Sequence, residues 1–149
     1  DDPSLPGVLS SIAGRWDRVM FYDAADTADR WKQYITFWPS HFNEITSIDG
    51  KMGFWLHVDA ACTLVVIGDA PSSTTISLTT GWNMIGYPAR NDGSYTVAQL
   101  MLATGATMVE GFNATAEYRV SLLGGTEVLK KGAGYWVYVP TDAVWNVDW

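Results

Sequence analysis

The chain has 149 residues, 48% of them apolar and only 17% charged, where an average soluble chain carries roughly 25% charged residues. Eight tryptophans, seven tyrosines and five phenylalanines are too much apolar surface for a disordered polypeptide. A formal net charge of −7 with no basic stripe excludes a general nucleic-acid binder.

The chain opens on Asp1-Asp2-Pro3-Ser4, without a basic-then-apolar signal segment or an initiator Met. That start is expected of a mature product or a fragment. Ser4 is a candidate N-cap for a short helix over residues 5–12, ending near Gly14. Strands follow at Val19-Met20-Phe21-Tyr22-Asp23 and Trp31-Lys32-Gln33-Tyr34, with the acidic loop carrying Asp23, Asp26 and Asp29 between them. Gly53-Phe54-Trp55-Leu56-His57-Val58 alternates with period two and reads as a strand. Cys62-Thr63-Leu64-Val65-Val66-Ile67 is strand-sized, far short of a membrane span, and places the single cysteine as a buried structural thiol. A polar linker is expected over 71–76. Ser77 to Pro88 reads as a strand broken by a turn at Gly81, and a second helix is expected over 96–103 before Gly105. Val109-Glu110-Gly111-Phe112-Asn113 is a strand leading into the sequon Asn113-Ala114-Thr115. Gly132-Ala133-Gly134 is a turn calling for positive φ, followed by the strand Gly134-Tyr135-Trp136-Val137-Tyr138-Val139 and a terminal aromatic strand, Trp145-Asn146-Val147-Asp148-Trp149.

This order contains a repetition. Gly53-Phe54-Trp55 returns as Gly134-Tyr135-Trp136 at an offset of 81, which also sets Leu64 and Val66 on Trp145 and Val147. At an offset of 90, Val19 to Asp23 fall on Val109 to Asn113. Each copy is preceded by a helix candidate. The fold expected is therefore α+β and β-rich: two related units of a short helix plus antiparallel strands. Unit 1 covers 1–70, the linker 71–76 and unit 2 77–149, with unit 1 lacking the first strand that opens unit 2.

Side chains for chemistry are few. His41 and His57 have no zinc-type spacing, and no nucleophile elbow or phosphate loop occurs. No catalytic residue and no cofactor are expected, and the chain reads as a non-enzyme. Asp23, Asp26 and Asp29 are the one candidate cation cluster, for calcium; the other reading is a solvated loop. Asn113 accepts a glycan if the chain is secreted. The aromatics read first as core. Otherwise they form a platform for a partner or a sugar, with Trp55, Trp136, Trp145 and Trp149 as interaction residues.

Gly81-Trp82-Asn83-Met84-Ile85-Gly86-Tyr87-Pro88, a helix, Val19 to Asp23, Trp31-Lys32-Gln33-Tyr34 and Gly53-Phe54-Trp55-Leu56 together resemble a tandem module of archaeal and bacterial extracellular proteins. That module orders a Gly-Trp-Asn-Leu-Val strand, a helix, a Val-x-x-Tyr-Asp strand, a Trp-x-x-Tyr strand and a Gly-Tyr-Trp-Ile strand. The chain departs from it by lacking the first strand in unit 1 and by carrying Tyr118-Arg119-Val120-Ser121 where Trp-x-x-Tyr belongs. The resemblance implies a non-catalytic, cell-surface or extracellular domain and carries no catalytic residues. The function expected is a structural or interaction protein, with self or neighbouring proteins as partners. It assembles into a surface layer or filament completed by strand addition. The alternative is a carbohydrate-binding module using Trp38, Trp55 or Trp136. Neither nucleic acid nor a membrane-spanning segment is expected.

Overall fold

The computed structural model describes residues 4–69, 71–90 and 93–148. The fold is α+β and β-rich, with every strand pair antiparallel.

The first half begins with helix α1 (Leu5–Val8), where Ser4 Oγ accepts the Gly7 N–H at 3.2 Å and Pro6 sits in the first turn. This is the N-cap chemistry that satisfies an orphan amide. A 3-10 turn over Ser10–Ile12 extends it, and Leu5, Leu9 and Ile12 are buried. Strands β1 (Trp16–Tyr22), β2 (Trp31–Ile35) and β3 (Phe54–Val58) form a sheet in the order β2-β1-β3. Val19, Ile45 and Ile48 close a small core over the helix, with Phe54, Leu56 and Val58 only partly buried against it.

The second half is larger. Strands β4 (Ser73–Leu78) and β5 (Gly81–Gly86) are joined by a turn at Thr79 and Thr80 but pair with different partners, helix α2 spans Val97–Thr104, and β6 (Met108–Phe112), β7 (Val120–Leu122), β8 (Gly134–Val139) and β9 (Ala143–Asp148) follow. Thr96 and Gln99 make a full capping box on α2, and Gly105, in the left-handed region at φ 71°, closes it with an N–H to the Met101 carbonyl. One sheet runs β5-β8-β6-β7; β4 pairs with β9 in a second, two-stranded sheet. Alternation along β8 buries Tyr135, Val137 and Val139 and leaves Trp136 and Tyr138 half-buried on the opposite face. The core gathers Ile76, Leu78, Ile85, Leu100, Trp145 and Val147 around that inner face.

Three sequence expectations need correction. Residues 73–76, read as linker, begin β4, because their Ser/Thr alternation with Ile76 and Leu78 turned inward suits a sheet-edge strand. Residues 62–67, read as a strand, form none, and Cys62 is exposed. The cause is pairing: in the second half β9 is held by β4, while no strand lies beside 62–67 among the described residues. Trp145, expected as an interaction residue, is core: 1% exposed, stacked on Tyr87 with ring centroids 6.1 Å apart and edge-on to Tyr95 at 5.7 Å. Trp149 lies outside the described residues.

The halves meet along a seam of glycines and aromatics. Gly86 N–H donates to the Lys51 carbonyl at 2.8 Å, and Met52 bridges Ile85. Tyr22 packs edge-on to Trp136 with centroids 5.1 Å apart, and Phe112 does the same to Trp55 at 4.8 Å. At sequence offsets of 90 and 81, Tyr22 falls on Phe112 and Trp55 on Trp136, so the two ring contacts join the same pair of sequence positions in opposite sense. Trp31 and Trp82 complete the cluster around Trp136.

Candidate interaction site

Strand β8 is flanked on both edges, by β5 and β6. Its counterpart β3 is flanked on one edge only, by β1, among the described residues. Beside its other edge lies a groove of ≈ 440 Å³ lined by Val8, Ile48, Phe54, Leu56, Leu64 and Val66 and reaching Gly132 to Gly134. Asp49 is the only carboxylate or basic side chain in that lining.

At the sequence offset of 81, several side chains exposed or half-buried in the first half fall on ones buried in the second. Trp145 is 1% exposed and Val147 fully buried; their counterparts Leu64 and Val66 are 36% and 61% exposed. Tyr135, Val137 and Val139 are buried, whereas Phe54, Leu56 and Val58 are half-buried. The bare segment extends to Val65 and Ile67, which are also exposed. It is tied back by Val65 N–H donating to Ser11 Oγ at 2.9 Å. A contiguous apolar surface beside an unpaired strand edge is the arrangement that marks an interaction site.

The other candidate residues lie elsewhere. Trp55 and Trp136 stand in the seam between the halves, half-buried, and not on an outer platform. Trp38 packs edge-on to Phe42, whose ring also meets His41 at 4.2 Å. His57 Nδ1 lies 2.7 Å from Asp17 Oδ1. Asn113 is exposed on the turn after β6, where its Oδ1 accepts Thr115 N–H and hydroxyl at 3.0 and 2.8 Å. The chain matches no protein-family model, no curated protein and no solved structure. No helix of the described residues is long and apolar enough to cross a membrane.

The acidic loop is organised differently from a calcium site. Asp26 accepts from Lys32 Nζ at 2.8 Å and from the Ala28 and Asp29 amides; Asp29 lies 3.5 Å from the same ammonium, and Asp23 caps Ala25. A lysine thus occupies the position between the carboxylates that a cation needs, and no group of three potential ligands occurs among the described residues. This corrects the calcium expectation. Sequence reasoning missed Lys32, which stands six residues from Asp26 and reaches it only because the β1–β2 hairpin folds back.

The Lys32 hydrogen bond, then the Asp29 and Ala28 amides, hold the Asp26 carboxyl below its ordinary pKa. The same bond to Asp26 raises the Lys32 ammonium above its own. Because the Asp26 shift is downward, its stabilisation is present above the ordinary carboxylate range and is lost as pH falls through the lowered value. The Lys32 contribution is full below the ordinary lysine value and is lost as pH rises through the raised one. An NMR titration of the Asp26 carboxyl should show the lowered midpoint, and Lys32→Met should move it up toward the ordinary range, leaving the part held by the Asp29 and Ala28 amides. An unshifted midpoint in the parent chain would refute the pairing.

Proposed function

We propose that this chain is a non-catalytic structural or interaction module of an extracellular surface or filament, joined to its neighbours by strand addition. The observation that carries the reading is the exposed edge of β3 beside exposed Leu64 and Val66, at positions buried in the second half. Reading the halves as two copies of one unit is part of the proposal; the reciprocal Tyr22–Trp136 and Phe112–Trp55 contacts support it. So does the shared order of helix, strand, strand and Gly-aromatic-Trp strand. An unfilled sheet edge costs solubility unless something covers it, and strand addition satisfies its backbone groups with main-chain hydrogen bonds. The acidic net charge suits a solvent-exposed, soluble surface. Asn113 is the residue to inspect for a glycan in the native material.

A sugar-binding platform has less support. Trp55 and Trp136 are spent on each other's halves, which leaves Trp38 with Phe42 as the exposed aromatic pair.

Native hydrogen exchange on the isolated chain tests the open edge. Amides of 62–67 should exchange at least about a hundredfold faster than those of β9, and β3 should be less protected than β8. Equal protection of 62–67 and 143–148 would remove the basis of the reading.

A further inference from the structure

The seam between the halves leaves a recess of ≈ 260 Å³ whose walls are largely aromatic. Strand pairing builds one side of it. Glu110 of β6 stands opposite Trp136 of β8, and Trp136 stands opposite Met84 of β5, so the three side chains share one face of the sheet. Phe112 follows two residues after Glu110 on the same strand and joins that face. The first half closes the other side with Phe54 and Trp55. The Trp55 and Phe112 rings lie 4.8 Å apart with their planes at 90°, which makes two walls of a corner.

One group in this lining is out of character. Glu110 is half-buried, yet no salt bridge or side-chain hydrogen bond reaches its carboxylate among the described residues. No Lys, Arg or His lines the recess. A carboxylate set among Trp136, Met84 and Phe112 gives up water without gaining a partner, a cost that a bound cation offsets.

We infer that this recess binds a quaternary ammonium head group, with Trp55, Phe112 and Trp136 as its aromatic walls and Glu110 as its counter-ion. The site does not depend on the strand-addition reading. Aromatic faces attract a cation through the ring quadrupole, and desolvation strengthens that attraction.

The lining also selects the kind of cation. A hard metal ion takes several oxygen ligands, and no group of three potential ligands occurs among the described residues. A primary ammonium has three donors to satisfy, and Glu110 is the only Asp, Glu, Asn, Gln, Ser or Thr among the lining side chains. The Tyr135 oxygen there already accepts the Lys130 amide at 2.8 Å. A trimethylated nitrogen has no N–H to leave unpaired, and its methyl shell suits ring faces and the Met84 side chain. The net charge of −7 draws cations toward the surface.

One site per chain is expected. At the offset of 90, Met20 falls on Glu110. The Tyr22–Trp136 ring pair is therefore matched with a thioether where the Phe112–Trp55 pair has a carboxylate.

The test titrates the full chain with choline chloride and with tetramethylammonium chloride, sodium chloride holding the ionic strength constant. Tryptophan fluorescence should change saturably in the millimolar range with one ligand per chain. The N-methyl proton resonance of choline should shift upfield under the ring currents. The neutral tert-butyl analogue of choline has the same shape without the charge, and its affinity should be at least about tenfold lower. Glu110→Gln alters a carboxylate that bonds to nothing in the unbound chain, and Phe112→Leu keeps apolar bulk at an exposed position. Each variant should keep the parent urea midpoint and weaken choline binding at least about tenfold.

Equal affinity for choline and its tert-butyl analogue would overturn the cation assignment, and this comparison needs no variant to fold. Unchanged choline affinity in folded Glu110→Gln would overturn it as well. Absence of any fluorescence or resonance change with both ammonium salts would remove the site, while amide exchange at 62–67 would still decide the strand-addition reading separately. Vesicles name the source of the head group. Co-sedimentation with phosphatidylcholine vesicles, reversed by choline and lost in Glu110→Gln, supports the site with a lipid as its ligand. Choline binding without co-sedimentation supports it with a free small cation.

Discussion

Replacing Trp145 by Ala should destabilise the chain by about 3–5 kcal/mol, the range for losing a buried Trp or Phe ring. Trp145 is 1% exposed, packs between Tyr87 and Tyr95, and sits opposite Ile76 in the β4–β9 pair. Leu64→Ala, at the position matched by the offset of 81, should cost far less, about 1 kcal/mol, because Leu64 is 36% exposed and lies outside both buried cores. Trp145→Phe should cost far less than the alanine change. It keeps a ring in the site and removes an indole N–H that has no hydrogen-bond partner. Urea unfolding of the three variants measures all of this. Equal losses for Trp145→Ala and Leu64→Ala would mean that the two halves are covered alike, against the structure.

Gly53→Ala should be the most damaging small substitution in the chain, costing about 3 kcal/mol or more as an overpacked backbone contact. A Cβ on Gly53 would run into the carbonyl oxygen of Ile85, and it would lie 2.7 Å from the Ile85 carbonyl carbon. Gly86→Ala meets the same seam from the other side, 2.7 Å from the Met52 oxygen and 2.9 Å from that of Gly50. Neither obstacle is a side-chain end that can swing away; both are backbone, Ile85 within β5 and Met52 bridged to it. The nearest atom to a Cβ on Gly50 is Pro88 Cβ at 3.5 Å, so Gly50→Ala is the neutral control. Near-UV circular dichroism should report the damage, since Tyr22, Trp31, Trp55, Phe112 and Trp136 all depend on that seam. Retention of the parent spectrum and midpoint by Gly53→Ala would mean that the halves do not meet through these glycines.

The elements that the sequence made legible are those whose signal is local. The Thr96/Gln99 capping box and Gly105 bracket α2 within a residue of the expected helix. Gly81 and Gly132 take positive φ at the two turns read from them, β3 and β8 lie where period-two alternation placed them, and β1 and β6 overlap the segments read as strands at Val19 to Asp23 and Val109 to Asn113. What was illegible depends on partners distant in the chain. Cys62 to Ile67 have the pattern of a buried strand, yet alternation only states what a segment can bury, and burial needs a second surface. Trp145 and Leu64 occupy matching pattern positions and differ because β4 covers one of them. The acidic loop looked like a cation cluster until the hairpin brought Lys32 into its centre.

By itself, then, the sequence determined the β-rich α+β class, the cap-bounded helix and the turn glycines. These follow from backbone propensity and side-chain period, which act over a few residues. The tertiary structure decided which aromatics are core, which form the seam between halves and which apolar segment stays bare. Such choices rest on what packs against each face, and packing is set by strands distant in the chain, as Thr75 and Asn146, 71 residues apart, are in the β4–β9 pair.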